Sequence, residues 1–142
     1  SWYDPDVAGL AADQGARIIA SPAEHAYLDM IYDLDSHVGT LWAGPTNVED
    51  GYSWDPVSGG LKEDDVAGIE APLWTETVDL LDDVEFLTFP RLLGHAEIGW
   101  SDPDGRSWEE YRARLAHHGP RMELWGIDFY ASDEVDWVSI DE

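Results

Sequence analysis

Pro5-Asp6-Val7-Ala8-Gly9-Leu10-Ala11-Ala12-Asp13-Gln14, then Gly15, then Arg17-Ile18-Ile19-Ala20 and Ser21-Pro22: this stretch decides the fold class. Pro5 to Gln14 reads as a short helix, with Asp4 placed to cap it, Pro5 in the first turn and Gly15 just past the end. Arg17 to Ala20 is a brief β-branched run stopped by Ser21-Pro22, which predicts a buried parallel strand. Helix, glycine, strand is an α/β signature.

Working outward, Ala26-Tyr27-Leu28-Asp29 reads as an extended stretch or loop, followed by a long irregular region through Gly39-Thr40-Leu41-Trp42-Ala43-Gly44. Thr46-Asn47-Val48-Glu49 has capping-box spacing and predicts a short helix from about Val48 to near Trp54-Asp55-Pro56. After the Gly-rich, acidic loop Ser58 to Asp65, the run Ala67 to Trp74 reads as a second strand ending in Trp74-Thr75-Glu76. Pro72 argues against a fully regular central strand. Asp82-Asp83-Val84-Glu85 opens a helix with Phe86, Phe89, Leu92 and Leu93 on one face, and Pro90 inside that pattern predicts a break. Ser107-Trp108-Glu109-Glu110 is a second capping box, followed by Trp108, Tyr111 and Leu115 at helical spacing. Gly119-Pro120 interrupts that helix, and a last one carries Met122 and Trp125 to Gly126. Strand, aromatic and acidic loop, helix is the recurring unit. Open α/β sheets and (β/α)8 barrels both show it, and both place their chemistry at the C-terminal ends of strands.

The 142 residues have the size of one ordinary domain, with 44% hydrophobic content to build a core. The start at Ser1-Trp2-Tyr3 reads as a cut edge, so the chain is expected to be a piece of a longer protein, with an acidic tail over about 131–142. No apolar stretch approaches the roughly 20 residues needed to span a bilayer, so no membrane partner is expected. With 31 acidic against 7 basic residues the net charge is −24, a sign that repels phosphate backbones and excludes nucleic acid. Such acidity fits a high-salt organism and an acidic secreted enzyme equally. The absence of Cys removes disulfide and thiol chemistry and assigns no compartment. Eight Trp point toward carbohydrate, since proteins place aromatic faces against the C–H faces of sugar rings; core and interface packing is the alternative for each.

There is no Gly-rich phosphate loop, no His-Glu-x-x-His and no Gly-x-Ser-x-Gly, and the five His show no ligand spacing. No metal or cofactor is therefore expected. Asp102-Pro103-Asp104-Gly105 resembles the start of a calcium loop, but Arg106 occupies the third ligand position, and a turn before a helix is the preferred reading. Tyr27 and Asp29, two apart, would point to the same side of a strand end, where a phenol donates and a carboxylate accepts hydrogen bonds from a hydroxylated ligand. On the residues alone, a buried Tyr with Asp29 starting a turn is the preferred reading of that pair. Trp74 and Glu76 repeat the arrangement one strand on, a flat apolar platform beside a charged acceptor. Glu70 is expected to be structural, paired with Arg17 or Arg91, and Arg91, His95, Glu97 and Trp100 to form one packing and ion-pairing face of the long helix.

In order, Ser21-Pro22-Ala23, Ala26-Tyr27-Leu28-Asp29-Met30, Gly39-Thr40-Leu41-Trp42-Ala43-Gly44, Asp55-Pro56, Gly68-Ile69-Glu70-Ala71-Pro72-Leu73-Trp74-Thr75-Glu76, Phe89-Pro90-Arg91-Leu92, Ala96-Glu97-Ile98-Gly99-Trp100 and Gly126-Ile127-Asp128-Phe129-Tyr130 resemble the second half of the catalytic domain of glycoside hydrolase family 20. The likeness runs nearly end to end. It implies the last two to three βα units of a (β/α)8 TIM barrel, a barrel that needs about 250 residues when complete. It also implies a β-N-acetylhexosaminidase that removes terminal N-acetylglucosamine or N-acetylgalactosamine with retention, the substrate's acetamido oxygen acting as nucleophile. That is the substrate-assisted exception to the two-carboxylate scheme. By the same resemblance Tyr27 would hydrogen-bond and orient the acetamido oxygen, Asp29 and Glu76 would hold the outer hydroxyls, Trp74 would wall the ring, and Trp42 would line the site from the loop; Trp2 is the weakest match.

The family's acid–base Glu stands in a His-x-Gly-Gly-Asp-Glu motif on an earlier strand, and no such motif occurs here; Asp133-Glu134 and Asp141-Glu142 lack its context. The expected partners are thus an N-acetylhexosamine-containing glycan and either the missing N-terminal half of the barrel or another copy of the chain, which alone is expected to be inactive. The family favours an extracellular or secreted bacterial setting. A non-catalytic carbohydrate-binding domain and an acidic interaction domain are the alternatives.

Overall fold

The computed structural model describes residues 5–139, so Trp2 and the capping Asp4 lie outside the described residues. Helix α1 (Pro5–Asp13) leads to strand β1 (Ile18–Ala20). Gly15, at φ 87°, ends the helix: its N–H donates to the Ala12 carbonyl at 2.8 Å and the Ala16 N–H to the Ala11 carbonyl at 3.0 Å. This left-handed closure satisfies the last carbonyls and turns the chain into the strand. Strand β2 (Val66–Ile69) pairs with β1 in parallel, Ile18 opposite Val66 and Ala20 opposite Ile69, with a bulge between Ile18 and Ile19. The pair forms a two-stranded parallel sheet.

The strand expected from Ala67 to Trp74 is shorter than its apolar run. It ends at Ile69, and beyond it the chain stays extended but irregular, because Pro72 has no N–H for a ladder; its carbonyl instead accepts from Leu28 N–H at 2.8 Å. Trp74 and Glu76 therefore stand on a loop beyond the strand. The β1 run is buried on one face only, for Ile18 and Ala20 are covered while Ile19 is 56% exposed.

Between the strands lie α2 (Ala23–Ala26), a turn of helix that the apolar pattern did not predict, and α3 (Val48–Tyr52). The α3 cap is Asn47, whose side chain accepts from the Asp50 N–H at 2.7 Å, rather than Thr46. Thr46 is buried and gives its hydroxyl to the Glu24 carbonyl at 2.9 Å. Helices α4 (Leu81–Thr88) and α5 (Arg91–Trp100) are separated at Phe89-Pro90, where the break was expected. The Asp83 carboxylate closes the start of α4 by accepting from the N–H groups of Asp79 and Leu80. Helices α6 (Trp108–Ala116) and α7 (Gly119–Leu124) follow, α6 capped by Ser107. At Asp102 the side chain accepts from the Asp104 N–H at 2.9 Å, the turn that was preferred there.

The core lies on one side of the sheet. Ala20, Tyr32, Val48, Tyr52, Trp54, Ile98, Tyr111 and Leu115 gather there, with Val135 added by the acidic tail segment. Tyr52 stacks on Tyr111 with ring centroids 4.1 Å apart, and its hydroxyl donates to Glu97, which also takes two 2.7 Å hydrogen bonds from Arg114. Burial and the Glu97 carboxylate push the Tyr52 phenol up to about 12. The tail is not a free acidic strand over 131–139. Glu134 accepts from the Val48 N–H at 2.9 Å and the Ser132 hydroxyl at 3.1 Å, so its carboxylate caps α3. The expected single face of Arg91, His95, Glu97 and Trp100 divides: Arg91 and His95 are buried, while Trp100 is 95% exposed.

His95 makes the core acid-sensitive. Neither ring nitrogen has a partner among the described residues, and burial, with smaller contributions from Arg91 and His25, pushes its pKa down to about 3. Between there and the ordinary value the unfolded chain binds a proton that the folded one refuses, so stability rises with pH and is lost as pH falls below about 6.5. The slope is about 1.4 kcal/mol per pH unit for one such group. His95→Leu is expected to flatten the acid limb of a plot of melting temperature against pH; an unchanged limb would show that His95 does not set it.

Candidate active site

The site is built by two segments that leave the C-terminal ends of the parallel strands. Residues 27–31 follow β1 through α2, and residues 70–77 follow β2. A third segment, the 39–46 loop, is fastened to the first: Thr40 N–H donates to the Asp29 carbonyl at 2.7 Å, Ile31 N–H to the Thr40 carbonyl at 2.9 Å, and Thr46 N–H to the Ile31 carbonyl at 2.9 Å. Gly39 makes that approach possible. Its φ is +116°, and a Cβ there would lie 2.9 Å from the Asp29 carbonyl oxygen. The Gly39 N–H donates to Thr77 Oγ1 at 3.2 Å, linking the loop to the segment after β2.

These connections bring Tyr27, Trp42 and Trp74 together. The Tyr27 ring lies edge-on to Trp42 with centroids 5.9 Å apart and tilted against Trp74 at 6.3 Å. Tyr27 is almost covered, whereas Trp42 and Trp74 are 56% and 52% exposed, so two half-exposed indoles flank one covered phenol. Asp29 is 1% exposed, and its two oxygens divide their work. Oδ2 accepts from Thr40 Oγ1 at 3.1 Å and Oδ1 from the Trp74 N–H at 3.4 Å. Burial raises the carboxyl above the usual range; hydrogen bonds from the backbone, Thr40 and Trp74 oppose that, and Glu76 adds a smaller repulsion. Glu76 itself is exposed.

Five of the six residues expected to bind or act are thus described: Tyr27, Trp42 and Trp74 form one cluster, with Asp29 beside it and Glu76 within its electrostatic reach. Trp2 lies outside the described residues. Three participants were missed. Thr40 orients Asp29, Thr77 ties the loops together, and Arg91 makes no ion pair with Glu70 but lies under the site, bonded to carbonyls. Glu70 is exposed, and its carbonyl accepts from the Ser21 hydroxyl. Clefts lined by Asp55, Ile98 and Arg106, and by Glu109, His117 and Asp136, include none of the cluster.

Parallel strands that feed aromatic side chains and a buried carboxylate beyond their C-terminal ends define an α/β protein with its candidate site at the strand ends. The model of the glycosyl hydrolase family 20 catalytic domain matches residues 1–103, and the chain belongs to that family. It is 38% identical over 136 residues to a β-N-acetylhexosaminidase of Cellulomonas fimi, covering 94% of this chain and 27% of that protein. The solved β-N-acetylhexosaminidase of Streptomyces coelicolor superposes with a TM-score of 0.89 at 45% identity, over 92% of this chain and 27% of that one. That of Streptomyces plicatus, solved with Thio-NAglucal, gives the same score and identity over 26% of its chain. This chain therefore spans about a quarter of the length of the relatives it matches.

Proposed function

We propose that the chain forms the last two to three βα units of a (β/α)8 barrel in a retaining β-N-acetylhexosaminidase, and that it supplies sugar recognition and orientation of the nucleophile. The observation that carries this reading is the single cluster of Tyr27, Trp42, Trp74 and Asp29, assembled from segments far apart in the chain. The terminal N-acetylhexosamine lies against the indole faces. Asp29 and Glu76 accept from its outer hydroxyls, and the Tyr27 phenol, which makes no hydrogen bond among the described residues, donates to the acetamido oxygen. Held in that position, the acetamido oxygen attacks the anomeric carbon within one molecule, so that orientation replaces an enzyme nucleophile.

Proton transfer to the leaving oxygen is assigned to an Asp-Glu pair in the preceding part of the barrel. Glu134, of the adjacent acid pair Asp133-Glu134, is occupied at the start of α3.

The test is an assay on p-nitrophenyl N-acetylglucosaminide with chain length verified by intact mass. The 142 residues alone are expected to be inactive, and the polypeptide that includes the preceding barrel strands active. Turnover by the 142 residues alone would overturn the assignment of the acid elsewhere, and no turnover by the longer polypeptide would overturn the hydrolase reading.

A further inference from the structure

The guanidinium of Arg91 touches the segments that frame the site without entering it. Nη2 donates to the Leu28 carbonyl at 2.7 Å and the Leu87 carbonyl at 2.9 Å, and Nη1 to the Thr46 carbonyl at 3.0 Å. Leu28 lies between Tyr27 and Asp29. Thr46 closes the loop that carries Thr40 and Trp42, and Leu87 belongs to the last turn of α4. The side chain is 1% exposed, its Cζ is 3.8 Å from the centre of the Tyr32 ring, and it makes no salt bridge among the described residues. A buried cation without an ion pair is costly, and an apolar side chain would fill the space without that cost. What an apolar side chain lacks is a rigid fork of donors that holds carbonyls of three separate segments at once; a single ammonium lacks it too.

We infer that Arg91 is a positioning residue for the hydrolysis proposed above. It fixes the Leu28 peptide, and with it the directions in which Tyr27 and Asp29 leave the chain, against the loop that carries Trp42. The reaction rests on that functional reading, whereas the alignment of the segments does not.

Arg91→Lys, made in the polypeptide that includes the preceding barrel strands, tests the inference against Leu115→Ala, which loosens the core from α6. For Arg91→Lys, kcat/KM is expected to fall about 100-fold, the effect of moving reacting groups by about 1 Å. Amide hydrogen exchange is expected to speed up over residues 27–46 and 70–78. Leu115→Ala lowers the melting temperature but leaves both quantities at the parent's values at temperatures where it is folded. If Arg91→Lys does not fold, Arg91→Gln, which is neutral and reaches fewer carbonyls, serves for both readouts. Parent-like kcat/KM and parent-like exchange in the Arg91 variant, or equal changes in both variants, would overturn the inference. A parent that does not hydrolyse the substrate defeats the functional reading alone, and exchange then decides the role of Arg91.

Discussion

In the polypeptide that includes the preceding barrel strands, Tyr27→Phe is expected to lower kcat by about 100-fold, the effect of moving a reacting group by about 1 Å. The dissociation constant for N-acetylglucosamine, read by tryptophan fluorescence, should stay close to the parent's. The separation of the two effects follows from the packing. The phenyl ring keeps its edge-on contact with Trp42 and its tilted contact with Trp74, so the platforms remain in place. Only the hydroxyl is lost, and with it the group proposed to hold the acetamido oxygen on line with the anomeric carbon. Loss of affinity with unchanged turnover would instead identify a binding module, and a change in neither would remove Tyr27 from the site.

Asp29→Ala is expected to cost more affinity than Tyr27→Phe and comparable turnover, with kcat/KM down about 1000-fold. Hydrogen bonds to a charged acceptor are worth about 1.5–3 kcal/mol each, and truncation also strands the donors that were bonded to the carboxylate. Those donors are the Thr40 hydroxyl and the Trp74 N–H, which belong to the two loops carrying the indoles. The carboxylate proposed to receive the sugar's hydroxyls therefore also ties together the two loops that carry the indoles. Asp29→Asn should fall between parent and Ala, because its amide retains one oxygen acceptor and replaces the other with a donor. Steady-state kinetics with sugar titration checks both variants, and a kcat/KM within threefold of the parent for Asp29→Ala would reject the role.

Residue chemistry made the aromatic and acidic pairs visible, because a phenol or indole two residues from a carboxylate is a local pattern. Gly15 marked the helix end, Pro90 the break between α4 and α5, and Ser107 the start of α6, all through backbone preferences that act within a few residues. The family resemblance added roles to Tyr27, Asp29, Trp42, Trp74 and Glu76, and the model match agrees on the family.

What only the tertiary structure decided depends on contacts between residues far apart in sequence. Pro72 argued against a regular strand through to Trp74, but the apolar run from Ala67 did not reveal that its carbonyl would meet the Leu28 N–H. Asn47 rather than Thr46 caps α3 because Thr46 is drawn inward to Glu24, and Glu134 arrives from the tail as a second cap. Arg91 read as an ion-pair partner for an acid, whereas the fold surrounds it with the carbonyls of Leu28, Thr46 and Leu87. Sequence by itself determined the parallel α/β pattern and the residue types of the site, both written in periodicity and spacing. Tertiary structure determined which of those residues meet, because burial converts a lone charge or hydroxyl into an obligation to find partners, and those partners come from wherever the chain returns.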